Sequence, residues 1–324
     1  MFKTLQNTAL TAAFILVGVT AQAEPLQAQA SAIFGPLPKT MPGSENDTPA
    51  LISLGEKLFM DKRLSINDTQ SCNSCHDVTN AGSGVDNVEV SAGAIDGRFG
   101  NRNAPTVWNA GFQFAQFWDG REPDLKSQAK GPILNHVEMG MHSADQVIEK
   151  LSGITEYQKG FKAAFNSDDA INYDNLAHAI AAFERTLITK DRFDVYMKGD
   201  VNALNQQEKD GLQAFINTGC IACHRGTTLG GNMFQKLGVV NPYKNQSDQG
   251  RFELTQNPED KMTVKVPMLR DIARTAPYFH DGKVETLEEA VSLMGSLQLG
   301  RNLDKKTVDD MVAFLKAMSH DDSL

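Results

Sequence analysis

The sequence predicts an all-α protein built from two similar helical units. Apolar residues recur at helical spacing through much of the chain, and sustained strand alternation is missing. One short motif, Cys-x-x-Cys-His, also occurs twice, at residues 72–76 and at residues 220–224. A chain of 324 residues is long enough to form two domains, so the repeated motif indicates one unit around each copy.

The two motifs contain all four cysteines of the chain. C-x-x-C-H is the attachment signature of haem c: the two thiols add to the haem vinyl groups, and the adjoining histidine binds the iron. A closed zinc site would use four Cys or His ligands where each motif offers three, and a thioredoxin-like pair should follow a strand of a βαβ unit. Paired disulfides would not need a histidine after each second cysteine. The sequence therefore predicts two covalent haem c groups, one on Cys72, Cys75 and His76 and one on Cys220, Cys223 and His224.

The first 23 residues have the pattern of a secretory signal peptide. A short n-region with Lys3 precedes an apolar run over residues 9–19, and Ala21-Gln22-Ala23 is a small-x-small cleavage site. The apolar run is too short to span a membrane, although a retained anchor is the alternative. We therefore expect a periplasmic protein with no membrane span after cleavage. The formal net charge of −9 argues against a nucleic-acid partner and allows a salt-sensitive encounter with a basic protein.

Each haem motif follows a predicted amphipathic helix. Leu51, Leu54 and Leu58 share one helical face before the first motif, and residues 208–216 form the corresponding segment before the second. Each segment contains a glycine and ends shortly before the cysteines, as in c-type cytochromes. This correspondence predicts an internal duplication with two cytochrome c-like domains, at residues 24–190 and 191–324.

Further helices are predicted downstream of both motifs. Capping boxes at residues 143–146 and 286–289 each precede an apolar run, and residues 226–257 are expected to form a loop rich in glycine and asparagine. Two core stripes at helical spacing are Leu176, Ile180, Phe183 and Leu187, and then Val308, Met311, Val312 and Leu315.

The sixth ligand of each iron decides whether the two haems are alike. A methionine would raise the reduction potential and close the site, whereas an open position can bind peroxide. Met262, Met268 and Met294 all follow the second motif at feasible distances, and spacing alone does not choose between them. Residues 77–108, which follow the first motif, contain neither histidine nor methionine. This absence indicates an open or water-filled face on the first haem.

Several longer stretches resemble the bacterial dihaem cytochrome c peroxidases along nearly all of the predicted mature chain. They are Arg-Asn-Ala-Pro-Thr-Val-Trp-Asn at 102–109, Ala-Gln-Phe-Trp-Asp-Gly-Arg at 115–121, Val-Glu-Met at 137–139, Gly-Arg-Phe at 250–252, Thr-Ala-Pro-Tyr-Phe-His at 275–280, and the segment 289–294. The resemblance implies that the N-terminal haem is the peroxidatic centre. It also implies that the C-terminal haem is the high-potential electron-transfer centre, with Met294 as its sixth ligand.

The same resemblance implies roles around the first haem. Glu138 matches the catalytic carboxylate, and such a group suits O–O heterolysis because it can move a proton between the two peroxide oxygens. Gln128 matches a pocket residue that hydrogen-bonds peroxide, and Trp118 matches a tryptophan between the haems. His280 resembles a histidine near a haem edge.

The resemblance further implies a calcium ion between the domains, since Asn103, Thr275 and Pro277 match the family's calcium-binding positions. Their amide and carbonyl oxygens suit that metal. Family likeness also implies a homodimer and a small external electron donor, either a cytochrome c or a copper protein. One departure from the family is Ala94, which stands where many members carry a histidine that caps the peroxidatic iron. Our hypothesis is that this haem needs little or no reductive activation.

The function predicted from these residues is that of a peroxidase that reduces hydrogen peroxide to water. A non-catalytic dihaem electron carrier is one alternative, and it would need a strong sixth ligand on both irons. The other is the related dihaem enzyme that oxidises tryptophans of a partner protein, which has tyrosine where Met294 stands here.

Overall fold

The computed structural model describes residues 24–79 and 82–324 and is built mainly of helices. The helices of this part are α1 (Pro25–Ile33), α2 (Pro49–Met60), α3 (Cys72–Cys75), α4 (Leu125–Leu134), α5 (Ala144–Ser152), α6 (Thr155–Phe165), α7 (Tyr173–Glu184), α8 (Arg192–Met197), α9 (Gln206–Thr218), α10 (Phe252–Thr255), α11 (Leu287–Leu299) and α12 (Lys305–Lys316). Two strands, β1 (Phe234–Lys236) and β2 (Thr263–Lys265), complete it. In this described part no helix is long and apolar enough to cross a membrane. The predicted signal peptide, residues 1–23, lies outside the described residues.

The first hydrophobic core is built around α2 and α7. Leu51, Leu54 and Leu58 of α2 are buried, which confirms the predicted helix before the first motif. The stripe predicted at Leu176 is likewise buried on α7, and its last member, Leu187, is buried just beyond the end of that helix. All the buried members of this cluster lie between residues 51 and 187.

The second core is built around α9 and α12. The predicted stripe of the C-terminal helix, at residues 308, 311, 312 and 315, is buried on α12. This cluster draws its buried members from residues 193–318, and also takes Ala30 and Phe34 from the N-terminal end. Helix α1 therefore packs with the second core, although residues 24–190 were assigned to the first domain. The boundary at residue 190 stays a prediction.

The two halves repeat one helix crossing, and a glycine permits it in each. A Cβ atom on Gly55 of α2 would lie 1.8 Å from the carbonyl oxygen of Ala179 on α7. A Cβ atom on Gly211 of α9 would lie 1.9 Å from the carbonyl oxygen of Asp310 on α12. Only a residue without a side chain fits either position. The predicted duplication thus extends from the motif to the packing of the helix before it.

The all-α prediction needs one correction, because β1 and β2 pair as a small antiparallel sheet. Phe234 lies opposite Lys265, and Lys236 lies opposite Thr263. Three residues per strand are too few to produce a recognisable alternation of apolar and polar positions. The capping box predicted at residues 143–146 is only half formed. Ser143 caps α5 as expected, but the side chain of Gln146 accepts from the N–H of His142 instead.

Candidate haem sites

The first motif forms α3, a single turn over Cys72–Cys75 that is followed by His76 as its C-cap. The backbone N–H of His76 donates to the carbonyl of Cys72 over 2.9 Å. Its ring Nδ1 lies 3.3 Å from the carbonyl oxygen of Gly84. Because a carbonyl can only accept, Nδ1 carries the proton, and Nε2 is left as the lone-pair nitrogen that can bind iron.

Burial favours the neutral form of all three groups of this motif. It lowers the pKa of His76, which favours the uncharged imidazole that binds a metal. It raises the pKa of Cys75 to about 11 and that of Cys72 further. Cys72, Cys75, Cys220 and Cys223 form no disulfide. All four are therefore available for thioether bonds, in agreement with the reading of the sequence.

A cavity is lined at one end by Cys72, Cys75 and His76. The chemistry of its lining residues suits a haem. Its other walls come from residues 100–107, the turn at 116–118, helix α4, residues 137–139 and the end of α7. Leu125, Ala129 and Ile180 give it apolar surface, as a porphyrin face requires. Two thiols and an oriented imidazole at one end match the attachment chemistry of haem c.

Glu138 and Gln128 line the same cavity. Glu138 sits in a tight turn after α4, where its N–H donates to the carbonyl of Asn135 over 3.0 Å. The Asn135 amide donates to Glu138 Oε1, also over 3.0 Å. Burial raises the pKa of Glu138, and the Asn135 hydrogen bond and the charge of Arg121 oppose that rise. A carboxyl balanced in this way can both take and return a proton.

The turn at residues 117–121 brings a cation to this cavity. Phe117 and Gly120 both have left-handed backbone, with φ of 65°. The Arg121 guanidinium lies 3.4 Å from the centroid of the Phe117 ring and donates through Nη1 to both oxygens of Asp119, over 3.0 and 2.9 Å. Arg121 lies in a stretch that carries the family resemblance, but no sequence pattern predicts that its charge acts on Glu138.

Trp118 lies between the two halves of the chain. Its indole Nε1 donates to the carbonyl of Asn103 over 2.9 Å, and its own carbonyl accepts from the N–H of Lys265 over 2.7 Å. The ring of His280 meets it edge-on, with the centroids 6.3 Å apart. Trp118 therefore contacts residues that follow both haem motifs, as its predicted position between the haems requires.

Ala94 packs against the backbone of Glu138. Its N–H donates to the Glu138 carbonyl over 2.7 Å, and the residue is 3% exposed. A Cβ atom on neighbouring Gly93 would lie 2.4 Å from the carbonyl oxygen of Val137. Among the described residues that line the cavity, His76 is the one histidine.

The second motif repeats the geometry of the first. The backbone N–H of His224 donates to the carbonyl of Cys220 over 2.9 Å, and His224 Nδ1 lies 2.9 Å from the carbonyl oxygen of Leu229. Nε2 is again left to bind iron. Burial lowers the pKa of this histidine as well. The amide of Gln235, on β1, lies 3.8 Å from the sulfur of Cys223.

The three candidate methionines differ in burial. Met294 lies on α11, is half-buried, and packs in a small apolar cluster with Met262, Tyr243 and Leu297. Met262 and Met268 are 6% and 5% exposed. Met262 and Met294 lie in the same cluster, so the assignment of Met294 as the iron ligand rests on the family resemblance.

Asn103, one of the residues expected around calcium, is hydrogen-bonded to both halves of the chain. The backbone N–H of Asn103 donates to the carbonyl of His280 over 2.8 Å, and its side-chain amide donates to the carbonyls of Val88 and Glu89 over 3.0 and 3.3 Å. Both Asn103 and Thr275 are buried. The amide of Asn87 donates to the carbonyls of Arg274 and Ala276, which flank Thr275. The amide and carbonyl groups assembled here suit calcium.

His280 itself is 2% exposed, and burial lowers its pKa. Its Nε2 lies 3.9 Å from Asp248, and its Nδ1 has no hydrogen-bond partner among the described residues. The placement of His280 near a haem edge stays a prediction from the resemblance. Two residues that do line the first cavity were not predicted from the sequence. These residues are Glu184 and Lys265, which are buried on the wall of the first cavity. Nothing in their local sequence distinguishes them from exposed residues.

Comparison with known proteins identifies the family. Residues 49–202 match the family model of the di-haem cytochrome c peroxidases. The chain is 46% identical to cytochrome c551 peroxidase of Pseudomonas aeruginosa over 92% of its own length and 88% of that protein, and 42% identical to cytochrome c551 peroxidase of Nitrosomonas europaea over 98% and 90%.

Among solved structures, a MauG-like protein associated with microbial copper homeostasis superposes with a TM-score of 0.77 at 27% identity, over 87% of this chain and 93% of that one. The prediction of a peroxidase rather than a non-catalytic carrier is confirmed by the similarity to the two curated peroxidases. The chain belongs to the di-haem cytochrome c peroxidase family, and its similarity to the two cytochrome c551 peroxidases identifies it as a di-haem peroxidase that reduces hydrogen peroxide.

Proposed function

We propose that hydrogen peroxide is reduced in the cavity around His76, and that the haem on Cys220, Cys223 and His224 is the point of electron entry. The observation that carries this assignment is the convergence of Glu138 and Gln128 on the first cavity, which contains no second histidine among its described lining residues. The peroxidatic half is residues 24–190 and the electron-transfer half is residues 191–324.

When bound, the haem supplies electrons and an open coordination position for peroxide. The overall reaction consumes one hydrogen peroxide, two electrons and two protons and yields two waters. Glu138 accepts a proton from one peroxide oxygen and returns it to the oxygen that departs as water. Arg121 and the Asn135 amide favour the ionised form that begins this cycle. Gln128 orients the peroxide through a hydrogen bond.

Electrons pass to this cavity through the region of Trp118, which contacts both halves of the chain. Met294 and His224 would be the side chains that hold the iron of the second haem, and the thioether would favour electron transfer over peroxide binding there. The donor is a small cytochrome c or copper protein, and the names of the two cytochrome c551 peroxidases support the first of these. The net charge of −9 suits a donor with a basic face.

The remaining assignments concern the state of the mature protein. We propose that residues 1–23 direct the chain to the periplasm and are removed there, and that the product is a homodimer. Asn103, through its amide oxygen, and Thr275 and Pro277, through their carbonyls, would hold a calcium ion between the halves. Addition of a calcium chelator is then expected to slow turnover, and restored calcium to reverse the loss.

The absence of a histidine at Ala94 supports activity without prior reduction. We expect the fully oxidised protein to show one high-spin and one low-spin ferric haem, and to consume peroxide at once when reduced cytochrome c is supplied. The measurements are an electron paramagnetic resonance spectrum and a peroxide-dependent oxidation assay on the same sample. Two low-spin haems with activity only after pre-reduction would contradict the proposal for Ala94. Absence of turnover under every condition would contradict the assignment as a peroxidase.

A further inference from the structure

A buried lysine on the cavity wall has no negative partner in the described part of the chain. Lys265 is 5% exposed and lines the same cavity as Cys72, Cys75 and His76. Its Nζ donates to the side-chain oxygen of Gln113, which is a neutral amide.

The other cations of this wall differ from Lys265 in their partners. Arg102 forms ion pairs with Asp119 and Asp248, and Arg121 pairs with Asp119. Of the Lys and Arg residues described on the cavity wall, Lys265 is the one without a carboxylate.

Burial of an uncompensated ammonium group is unfavourable, because water is lost and no opposite charge replaces it. Desolvation accordingly lowers the pKa of Lys265 to about 8. An apolar residue of similar length would fill the position without that cost. The lysine is therefore best explained by an anion that occupies the cavity when the protein is complete.

The chemistry of the site indicates which anion this is. Hydrogen peroxide is neutral at the pH where enzymes of this kind work, so it supplies no lasting negative charge. A haem attached at Cys72 and Cys75 brings two propionate carboxylates. We propose that Lys265 binds a haem propionate in the first cavity, through an ion pair between its ammonium group and the carboxylate.

Because Lys265 belongs to the second half of the chain, its contact with the propionate would link that half to the first haem. Lys265 lies on β2, opposite Phe234, and its backbone N–H donates to the carbonyl of Trp118 over 2.7 Å. The second half of the chain thus contributes a cofactor-binding residue to the first haem, next to the tryptophan between the halves. A positive charge beside a haem favours its reduced form, so Lys265 also raises the reduction potential of that haem.

This inference rests on the proposed attachment of a haem at Cys72 and Cys75, which a pyridine haemochromogen count tests separately. Two haems per chain support the attachment, and one haem per chain would overturn it together with the role of Lys265. The test of the lysine itself compares Lys265→Met with Lys265→Arg. Lys236→Met is the control, because Lys236 is an exposed lysine on the partner strand β1 and does not line the cavity.

The measurement is the midpoint potential of each haem by spectroelectrochemical titration. We expect Lys265→Met to lower the potential of the N-terminal haem and leave the C-terminal haem unchanged, whereas Lys265→Arg and Lys236→Met keep both near the wild-type values. Equal potentials in Lys265→Met and Lys236→Met would overturn the proposal.

A second measurement uses only the wild type and Lys265→Arg, which both keep a positive charge at position 265. The propionate bending band in the resonance Raman spectrum reports hydrogen bonds to the carboxylate. In the wild type we expect this band to shift when exchangeable protons are replaced by deuterium, and to move again in Lys265→Arg. A band that responds neither to deuterium nor to the arginine would contradict the ion pair, even if Lys265→Met does not fold.

Discussion

At the scale of single residues, the proposed proton transfer depends on how the cavity balances the ionised and protonated forms of Glu138. Burial favours the protonated carboxyl, whereas Asn135 and Arg121 favour the carboxylate. We expect Glu138→Gln to lower kcat/KM for peroxide by about 10²–10⁴-fold, since the amide cannot carry a proton between the two oxygens. Glu149→Gln, an exposed position on α5, is the matched control and should behave as wild type. Retention of more than a tenth of the activity in Glu138→Gln, with both haems attached, would exclude Glu138 as the main proton carrier.

Arg121 provides a second test of that balance, this time through pH. Its positive charge lowers the pKa of Glu138, so Arg121→Met should raise that pKa. Because Glu138 must be ionised to accept a proton, a higher pKa moves the acidic limb of the kcat/KM profile to higher pH. Arg121→Lys retains the charge and should leave the limb close to its wild-type position. An acidic limb that stays in place in Arg121→Met, or moves to lower pH, would show that Arg121 does not act on Glu138.

The residue scale also shows what a single sequence can and cannot predict about a site. The cysteines and histidines of the two motifs were predicted from their spacing, because attachment chemistry fixes that spacing. Glu138 was predicted by the resemblance alone. Lys265 and Glu184 were missed because they stand out only by being buried, and their burial arises from packing between residues distant in sequence. A lysine in a Thr-Val-Lys-Val stretch has no local signature that distinguishes it from an exposed one.

At the scale of elements, the repeated helix crossing is the feature most sensitive to change. In Gly211→Ala, the new Cβ would lie 1.9 Å from the carbonyl oxygen of Asp310, and backbone on the facing helix cannot move aside without loss of contacts. We expect a loss of about 1–3 kcal/mol in the free energy of unfolding, measured by urea titration. Gly131→Ala makes the same change inside α4, where the nearest atom is 3.5 Å away on the side chain of Phe117. Equal stability of the two variants would mean that α9 and α12 do not approach as closely as described.

The elements that the sequence predicted are those with a strong periodic pattern. Helices α2, α7, α9 and α12 carry apolar stripes over several turns, so periodicity predicts them. The sheet of β1 and β2 was missed because each strand has three residues. The turn at 117–121 was missed for a different reason: its left-handed residues are a phenylalanine and a glycine, and only the second is typical of that conformation.

At the scale of the whole molecule, an ion network of Arg102, Asp119 and Asp248 joins the two halves of the chain next to Trp118. Arg102 contacts Asp119 over 2.7 Å and Asp248 over 2.6 Å, and each of these three side chains is about a tenth exposed. Removal of one member of a buried network leaves its partners without compensation. We therefore expect Arg102→Met to lower the free energy of unfolding by about 3 kcal/mol or more. Arg98→Met, at an exposed arginine of the same loop with no carboxylate partner among the described residues, should change it by less than about 0.5 kcal/mol.

The same network leads to a prediction about the rate of electron transfer between the two haems, which a stability measurement does not test. Asp248 lies 3.9 Å from His280, and the ring of His280 meets that of Trp118. Loss of Arg102 therefore leaves an unpaired carboxylate next to the proposed electron path. We expect electron transfer between the haems, followed by flash photolysis of the half-reduced protein, to slow in Arg102→Met under conditions where the variant is fully folded. A double-mutant cycle with Asp248→Asn separates the ion pair from the rest of the substitution, because the effects of two coupled residues are not additive. Strict additivity of the two substitutions, in stability and in rate, would mean that Arg102 and Asp248 do not act as a unit across the interface.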